Sequence, residues 1–141
     1  MSNLEETLFI IKPDAVSKMV EGKILLRVKR EGFKILGIKS LTLSKEEAGR
    51  FYAVHKGKAF YKDLIEFMSS GKVVVCKLQR ENAVAKLREV VGATNPEQAA
   101  PGTLRNMFGT SVQRNGVHAS DSLANAKLEV KFFFGEAGTK I

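Results

Sequence analysis

The sequence predicts an α+β fold, in which a ferredoxin-like four-stranded antiparallel sheet is covered by helices and a long loop precedes the last strand. Four short runs have the β-branched, aromatic or near-continuous apolar character of strands. The segments between them carry apolar residues at helical spacing. The resulting order, β-α-β-α-α-β-α-loop-β-α, is typical of the split βαβ sandwich. Strand order within the sheet does not follow from the sequence.

The first part of the chain supplies two strands and a helix. Residues 6–11, ETLFII, form a short buried strand, and Pro13 ends it because proline cannot donate to a ladder but can begin a helical turn. Residues 21–32 have apolar side chains at helical spacing and end in glycine, which predicts a helix. Residues 33–43 form the second strand, with a bulge at Gly37 where the alternation changes phase.

The middle of the chain alternates helices with a central strand. Ser44 is followed three residues later by Glu47, a capping box that predicts the start of a helix. Residues 59–71 have the spacing of a second helix. Residues 72–78, KVVVCKL, form a near-continuous apolar run, which is typical of a central strand. Residues 81–92 form an amphipathic helix closed by glycine.

The last part of the chain contains the longest irregular stretch. Residues 93–115 hold two prolines and two glycines, and a loop this long in a compact domain is usually functional. Residues 116–120 can form a last strand. Residues 121–134 form a helix whose cap is either Ser122 or Asp121.

The length and composition fit one domain over residues 1–141. The single cysteine, Cys76, is expected to be buried as a small apolar residue. No stretch approaches the ~20 apolar residues of a membrane span, and the first residues lack the features of a signal peptide. We therefore expect a soluble, cytoplasmic protein. The tail, residues 135–141, shows no helical or strand pattern of apolar residues.

The net charge of +8 calls for an anionic partner. Nucleotides, nucleic acid and membrane headgroups all qualify, and the basic residues are scattered rather than gathered in one tail. Charge alone therefore identifies a class of partner and no more.

His118 is the first candidate for chemistry, in the stretch RNGVHASDS. Glu129 lies seven residues beyond Ser122, so it shares a helix face with the start of the last helix, where His118 and Ser120 are within reach. A histidine oriented by an acid is the arrangement of an activated nucleophile or general base. The alternative is a capping network that only stabilises the start of the helix.

Five polar residues are candidates for anion binding. Lys12 ends a buried strand, Arg88 borders the buried face of its helix, and Thr94, Arg105 and Asn115 belong to the long loop. Each by itself is typically solvated. Together they could form a cradle for a polyphosphate, although sequence spacing does not show that they converge.

Tyr52 and Phe60 are candidates for a platform on which a base stacks, but aromatic residues at helical spacing are more often part of the core. His55 has no carboxylate at comparable spacing, so we assign it a structural or rim position. The sequence lacks a glycine-rich phosphate loop and a cysteine–histidine metal motif. The acidic residues form no magnesium cluster, so any Mg²⁺ would arrive mainly on the nucleotide.

Four stretches together resemble the nucleoside diphosphate kinases, from about Thr7 to Phe134: TLFIIKPDAV, GRFYAVHKGKAFYKDLIEFMSSG, ENAVAKLREVVGATNPEQAAPGTLR and NGVHASDS. The resemblance implies transfer of the terminal phosphate of a triphosphate such as ATP, carried with Mg²⁺, to a nucleoside diphosphate. It implies two half-reactions through a phosphohistidine, broad tolerance of base and sugar, and a homo-oligomer, either a hexamer or a tetramer.

The resemblance also implies residue roles. His118 matches the nucleophile, and Ser120 and Glu129 match the residues that orient it. The base is clamped by the residues that match Phe60 and Val112. The phosphate and sugar ligands match Lys12, Tyr52, Arg88, Thr94, Arg105 and Asn115.

The chain departs from the family pattern at four positions. Met107 and Val54 stand where an acidic residue is usual or common, Lys72 where proline is frequent, and Ala119 where glycine is usual. None of the four removes a motif-matched catalytic group.

Two further readings compete with the enzyme. A nucleic-acid-binding module would fit the charge and the four-stranded sheet, but no RNP1-type run occurs in the strands. A catalytically silent relative used for assembly would not need the intact histidine. Phosphotransfer and weak nucleic-acid binding could coexist in one protein.

Overall fold

A computed structural model describes residues 3–135, a range that excludes the tail beyond Gly135. The strands are β1 (Leu4–Ile11), β2 (Lys34–Thr42), β3 (Lys72–Glu81) and β4 (Val117–Ala119). The α-helices are α1 (Pro13–Ser17), α2 (Glu21–Arg30), α3 (Lys45–Phe51), α4 (Tyr61–Met68), α5 (Ala83–Val91), α6 (Leu104–Phe108) and α7 (Leu123–Phe134). Short 3₁₀ helices span Ala53–His55 and Pro96–Gln98.

The four strands form one sheet in the order β2-β3-β1-β4. All neighbouring pairs are antiparallel, so the predicted ferredoxin-like α+β architecture is confirmed. β1 is central and pairs with β4, which places Ile10 opposite His118. The end of β1 therefore lies beside the stretch that carries the candidate nucleophile.

Several predicted elements differ in extent from the structure. β1 begins at Leu4 and β3 continues to Glu81, because these two ends pair with each other in the ladder. The residues at these ends are mostly polar, so the pattern of apolar residues did not predict that they belong to the strands. The helix predicted over 59–71 is shorter and spans Tyr61–Met68.

The region predicted to be irregular, residues 93–115, contains two short helices. Asn95 and Thr103 start them as N-caps, accepting hydrogen bonds from the backbone N–H groups of Glu97 and Asn106. Both residues are of types that commonly cap helices, but helices this short show no repeating pattern of apolar residues from which they could be predicted.

The predicted bulge at Gly37 is confirmed by a register shift between β2 and β3. A β-carbon at this position would lie 2.9 Å from a ring carbon of Phe134. A side chain here would meet that ring, so glycine allows Phe134 of helix α7 to pack directly on the strand.

Alternation along β1 gives the sheet a buried cluster on each face. Phe9 and Ile11 belong to the cluster that packs against α2 and α5. Leu8 and Ile10 belong to the cluster that packs against α3, α4 and α7. Cys76 is fully buried as predicted, and burial raises the pKa of its thiol to about 12. Within residues 3–135, no helix is long and apolar enough to cross a membrane.

Met19 occupies a left-handed backbone conformation, with φ of 61° and 84% of its surface exposed. A left-handed conformation strains a residue with a β-carbon, and asparagine tolerates it better than methionine. We expect Met19→Asn to raise the free energy of unfolding by about 0.5–1 kcal/mol, measured by urea denaturation. Met19→Leu, which keeps the strain, is the control. Equal midpoints for the Asn and Leu variants would contradict this account.

Candidate active site

The site is assembled where β1 ends beside β4. His118 lies in the middle of β4, and the backbone N–H of Lys12, just after β1, donates to the carbonyl of Gly116 at 2.9 Å. The backbone N–H of Ser120 donates to the carbonyl of Leu8 at 3.3 Å. These ladder contacts fix the histidine against the central strand of the sheet.

His118, Ser120 and Glu129 form a connected group. Nε2 of His118 lies 2.7 Å from Oε1 of Glu129, and the Ser120 hydroxyl donates to the same oxygen at 2.8 Å. The Ser120 hydroxyl also accepts a weak hydrogen bond of 3.4 Å from the backbone N–H of Leu8. The carboxylate therefore orients the imidazole, and the serine orients the carboxylate.

Capping of α7 does not account for this group. Ser122 is the N-cap, and its hydroxyl accepts from the backbone N–H of Asn125 at 3.1 Å. Asp121 instead accepts from the side-chain amide of Asn125 at 2.6 Å. Of the two predicted caps, Ser122 fills the position, and the His118–Glu129 contact is separate from it.

Lys12 is held by the long loop. Its ammonium donates to Oδ1 of Asn115 at 2.8 Å, and Nδ2 of Asn115 donates to the carbonyl of Thr94 at 2.9 Å. Burial, with a smaller contribution from the charge of Arg105, lowers the pKa of Lys12 to about 8. The chain thus keeps a desolvated lysine next to the histidine strand. Thr94 itself is exposed.

Arg105 joins the loop to the rest of the site. Its guanidinium donates to the carbonyls of Gly92 at 3.1 Å and Val117 at 3.0 Å. Burial and the neighbouring charge of Arg88 lower its pKa to about 10. Arg105 therefore lies close enough to both Lys12 and Arg88 for their charges to interact, a convergence that sequence spacing did not reveal. Arg88 is exposed and follows the buried Leu87 in α5.

Tyr52, His55 and Phe60 form an aromatic row. The rings of Tyr52 and His55 stack with centroids 6.1 Å apart, and those of His55 and Phe60 lie 5.4 Å apart. Tyr52 is buried, and burial raises the pKa of its hydroxyl. His55, assigned to a structural or rim position, lies between the two predicted site residues. It belongs to the 3₁₀ helix Ala53–His55, which is too short to show a helical period in the sequence.

Phe60 and Val112 remain largely open to solvent. Their exposed fractions are 47% and 56%, so each leaves apolar surface open to solvent. Phe60 is the N-cap of α4, so its ring stands at the start of that helix.

A cavity of about 320 Å³ opens beside His118. Tyr52, His55 and Glu129 line it together with apolar residues of α7. Lys12, Arg88 and Arg105 are not among its lining residues, so the cavity and the cationic group are separate features. They adjoin at Tyr52, since the charge of Arg105 acts on its hydroxyl.

Three polar atoms of the site are buried without a hydrogen-bond partner among residues 3–135: the Tyr52 hydroxyl, Nε of Arg105 and Nδ1 of His55. Buried polar groups are nearly always paired in folded proteins. In the described part of the chain, no group of three histidine, cysteine or acidic side chains could hold a metal ion.

The chain matches the family model described as nucleoside diphosphate kinase over residues 5–139. It is 52% identical to the nucleoside diphosphate kinase of Persephonella marina, covering 94% of each chain. It is 56% identical to that of Campylobacter lari, covering 94% of this chain and 97% of the relative.

Solved structures agree with the sequence comparison. An orthorhombic crystal form of the Aquifex aeolicus nucleoside diphosphate kinase superimposes with a TM-score of 0.92 at 46% identity, covering 93% of this chain and 95% of that one. A halophilic nucleoside diphosphate kinase from Halobacterium salinarum, in complex with CDP, gives a TM-score of 0.91 at 32% identity, covering 94% and 89%.

The fold and these matches define a nucleotide-binding phosphotransferase. The chain belongs to the nucleoside diphosphate kinase family.

Proposed function

We propose that this enzyme transfers the γ-phosphate of a nucleoside triphosphate to a nucleoside diphosphate by a ping-pong mechanism through a phosphohistidine at His118. The observation that carries the proposal is the 2.7 Å contact between Nε2 of His118 and Glu129. A carboxylate at this distance accepts the Nε2 proton, so the neutral ring has its lone pair on Nδ1. Nδ1 is therefore the attacking atom.

The chemistry balances over two half-reactions. The Nδ1 lone pair forms a bond to the γ-phosphorus while the bond from that phosphorus to the β,γ-bridging oxygen breaks, which releases a nucleoside diphosphate. A terminal phosphate oxygen of the acceptor then attacks the phosphohistidine and returns the electron pair to Nδ1. The Glu129 carboxylate stabilises positive charge on the ring while the phosphate is attached.

The cationic group has the character needed to hold the transferring phosphate. Lys12, Arg88 and Arg105 offset charge on the phosphate oxygens and keep the reacting atoms in line. The unpartnered Tyr52 hydroxyl and Arg105 Nε can donate to the nucleotide without giving up a protein contact. Thr94 and Asn115 complete the phosphate and sugar contacts.

The base and sugar are held loosely in this proposal. Phe60 and Val112 clamp the base through its faces, and a ring face offers the same contact to every base. This contact supports broad base tolerance. We propose that the sugar is tolerated as broadly as the base.

Mg²⁺ fits this site as an ion carried by the nucleotide. The site presents cations, hydroxyls and an amide, and the Glu129 carboxylate already bonds His118 and Ser120. When bound, Mg²⁺ neutralises phosphate charge and orients the phosphates. Asp121 is the remaining carboxylate among the lining residues of the cavity beside His118.

Nucleotide affinity is expected to fall as the pH rises through about 8. Lys12 is cationic below its pKa of about 8 and neutral above it, so its attraction for phosphate is present at lower pH and lost at higher pH. Titration calorimetry with a nucleoside diphosphate from about pH 7 to 9.5 measures the change. Lys12→Gln is the control, with weaker binding and no such dependence. A wild-type affinity that is flat across this range would contradict the prediction.

The phosphoenzyme is the test of the proposed function. Incubation with triphosphate labelled at the γ-position is expected to give a phosphoprotein that is labile to acid and stable to alkali. Addition of unlabelled nucleoside diphosphate is expected to remove the label as labelled triphosphate. Absence of a phosphoenzyme under conditions where the protein is folded would refute the mechanism.

We further propose a homo-oligomer, a hexamer or a tetramer. β2 is an edge strand, and its residues Leu36 and Ile38 expose 38% and 50% of their surface. Exposed apolar residues on an unpaired edge favour association. Sedimentation of the purified protein distinguishes the two assemblies from each other and from a monomer.

The charge of +8 supports a second, weaker affinity for nucleic acid in a cytoplasmic setting. Such binding is expected to weaken steeply with salt, because it depends on counterion release. Single-stranded DNA titrated at two salt concentrations measures it. A salt-independent affinity would contradict this electrostatic origin.

A further inference from the structure

The imidazole of His118 is bounded by aromatic rings as well as by Glu129. The ring of Phe51 meets it edge-on, with centroids 5.4 Å apart and planes at 71°. The ring of Tyr52 lies 6.2 Å away at 85°. Phe51 and Tyr52 also meet each other at 4.9 Å and 90°. Neighbouring residues at the end of α3 thus supply two aromatic walls around the histidine.

Phe51 is held in place by the helix that carries Glu129. Phe132 and Phe133 contact the Phe51 ring at centroid distances of 5.4 Å and 5.1 Å, and they contact each other at 4.9 Å. They follow Glu129 by three and four residues, so the three side chains share one face of α7. The helix therefore reaches His118 directly through Glu129 and indirectly through Phe51.

The hydrogen bond to Glu129 fixes one atom of the imidazole and leaves its tilt open. The Nδ1 lone pair lies in the plane of the ring, so a tilt turns it away from the incoming phosphorus. Transfer requires reacting atoms about 3–3.5 Å apart with aligned orbitals. A rigid ring packed against the imidazole limits the tilt and lowers the cost of reaching that alignment.

We propose that Phe51 is a positioning residue for phosphoryl transfer. Its ring, backed by Phe132 and Phe133, sets the tilt of the His118 imidazole so that Nδ1 faces the transferring phosphate. The inference rests on the proposed function, since it takes His118 as the nucleophile. Phe51 acts through His118 and requires no contact with the nucleotide.

Substitution of Phe51 by leucine separates positioning from stability. We expect Phe51→Leu to form the phosphoenzyme about 10- to 100-fold more slowly in a single turnover, as a small misplacement of a reacting group can. KM for the nucleotide is expected to stay unchanged. Phe33→Leu is the matched control: Phe33 is buried in the cluster on the other face of the sheet, so it should lower the melting temperature and leave the rate unchanged.

A second variant keeps the test informative if Phe51→Leu folds poorly. Phe133→Leu removes a backing ring and retains Phe51, and we expect a smaller reduction in the same direction. Unchanged phosphorylation rates in both variants would overturn the inference, and so would equal losses in Phe51→Leu and the Phe33→Leu control.

Nitrogen NMR measures the chemical shifts of the His118 ring nitrogens, which would not change if Phe51 had a purely structural role. The chain has two histidines, so the ring signals are easily assigned. In the wild type we expect one neutral tautomer of His118, protonated on Nε2. In Phe51→Leu we expect the ring to tilt and weaken its hydrogen bond to Glu129, so that the shifts are averaged toward the other tautomer. A wild-type protein that forms no phosphoenzyme refutes the proposed function. A wild-type protein that forms it, with identical rate and shifts in Phe51→Leu, refutes the role of Phe51 alone.

Discussion

Substitution of His118 by alanine is expected to abolish the phosphoenzyme and to lower kcat by roughly 10⁴- to 10⁶-fold, the scale seen when a covalent nucleophile is removed. The ring of His118 is the group that Glu129 and Ser120 orient, with contacts of 2.7 Å and 2.8 Å at the carboxylate oxygen. Alanine retains the strand, because pairing in β4 uses only backbone groups. The loss should therefore be chemical, with little change in fold.

The second histidine provides the matched control for this prediction. His55 lies in the aromatic row and lines the cavity beside His118, but no carboxylate hydrogen bond orients it among the described residues. We expect His55→Ala to form a phosphoenzyme, with altered nucleotide binding at most. Quench-flow labelling of the three proteins measures the outcome. Label retained in His118→Ala, or lost only in His55→Ala, would assign the nucleophile elsewhere.

Substitution of Arg105 by alanine is expected to lower kcat/KM by about 10- to 150-fold. This loss corresponds to about 1.5–3 kcal/mol of transition-state stabilisation, the range for hydrogen bonds to charged groups. Arg105 is a partly buried cation whose Nε has no partner within residues 3–135, so it is available to phosphate. Its position depends on the carbonyls of Gly92 and Val117, which hold the guanidinium beside β4.

Loss of Arg105 would also remove its hydrogen bonds to the carbonyls of Gly92 and Val117, which hold the loop in place. A control must therefore separate this effect on the loop from the loss of positive charge at the site. Arg27 anchors the same region by donating to the carbonyl of Gly102 at 2.6 Å, away from the site. We expect Arg27→Ala to lower stability and leave kcat/KM nearly unchanged. Steady-state kinetics and thermal unfolding on both variants give the comparison. Equal kinetic losses would mean that loop anchoring, and not the charge at the site, is the contribution of Arg105.

Local sequence signals predicted most of the elements correctly because each depends on residues close together in the chain. The capping box at Ser44 and Glu47 is present with both of its hydrogen bonds. The helix end at Gly92 is present with φ of 92°, a conformation that glycine adopts without strain. The errors fell where local signals were weak: at the polar ends of β1 and β3, and in helices too short to show a period.

The contact between His118 and Glu129 was also within reach of the sequence, because a helix face relates residues at known spacing. The convergence of the proposed phosphate ligands was not. Lys12 and Asn115 are 103 residues apart in the chain and 2.8 Å apart at their polar atoms. Their meeting depends on β1 and β4 being neighbours, and strand order follows from the packing of whole helices on the sheet.

By itself, the sequence determined the alternation of strands and helices, the family, and an acid-oriented histidine, since these depend on spacing along a few turns of chain. Only the tertiary structure decided which cations meet beside β4, how far each is buried, and that Phe51 packs against the imidazole. These properties arise from groups distant in sequence, and desolvation and ring packing exist only once the sheet and its helices have closed around them.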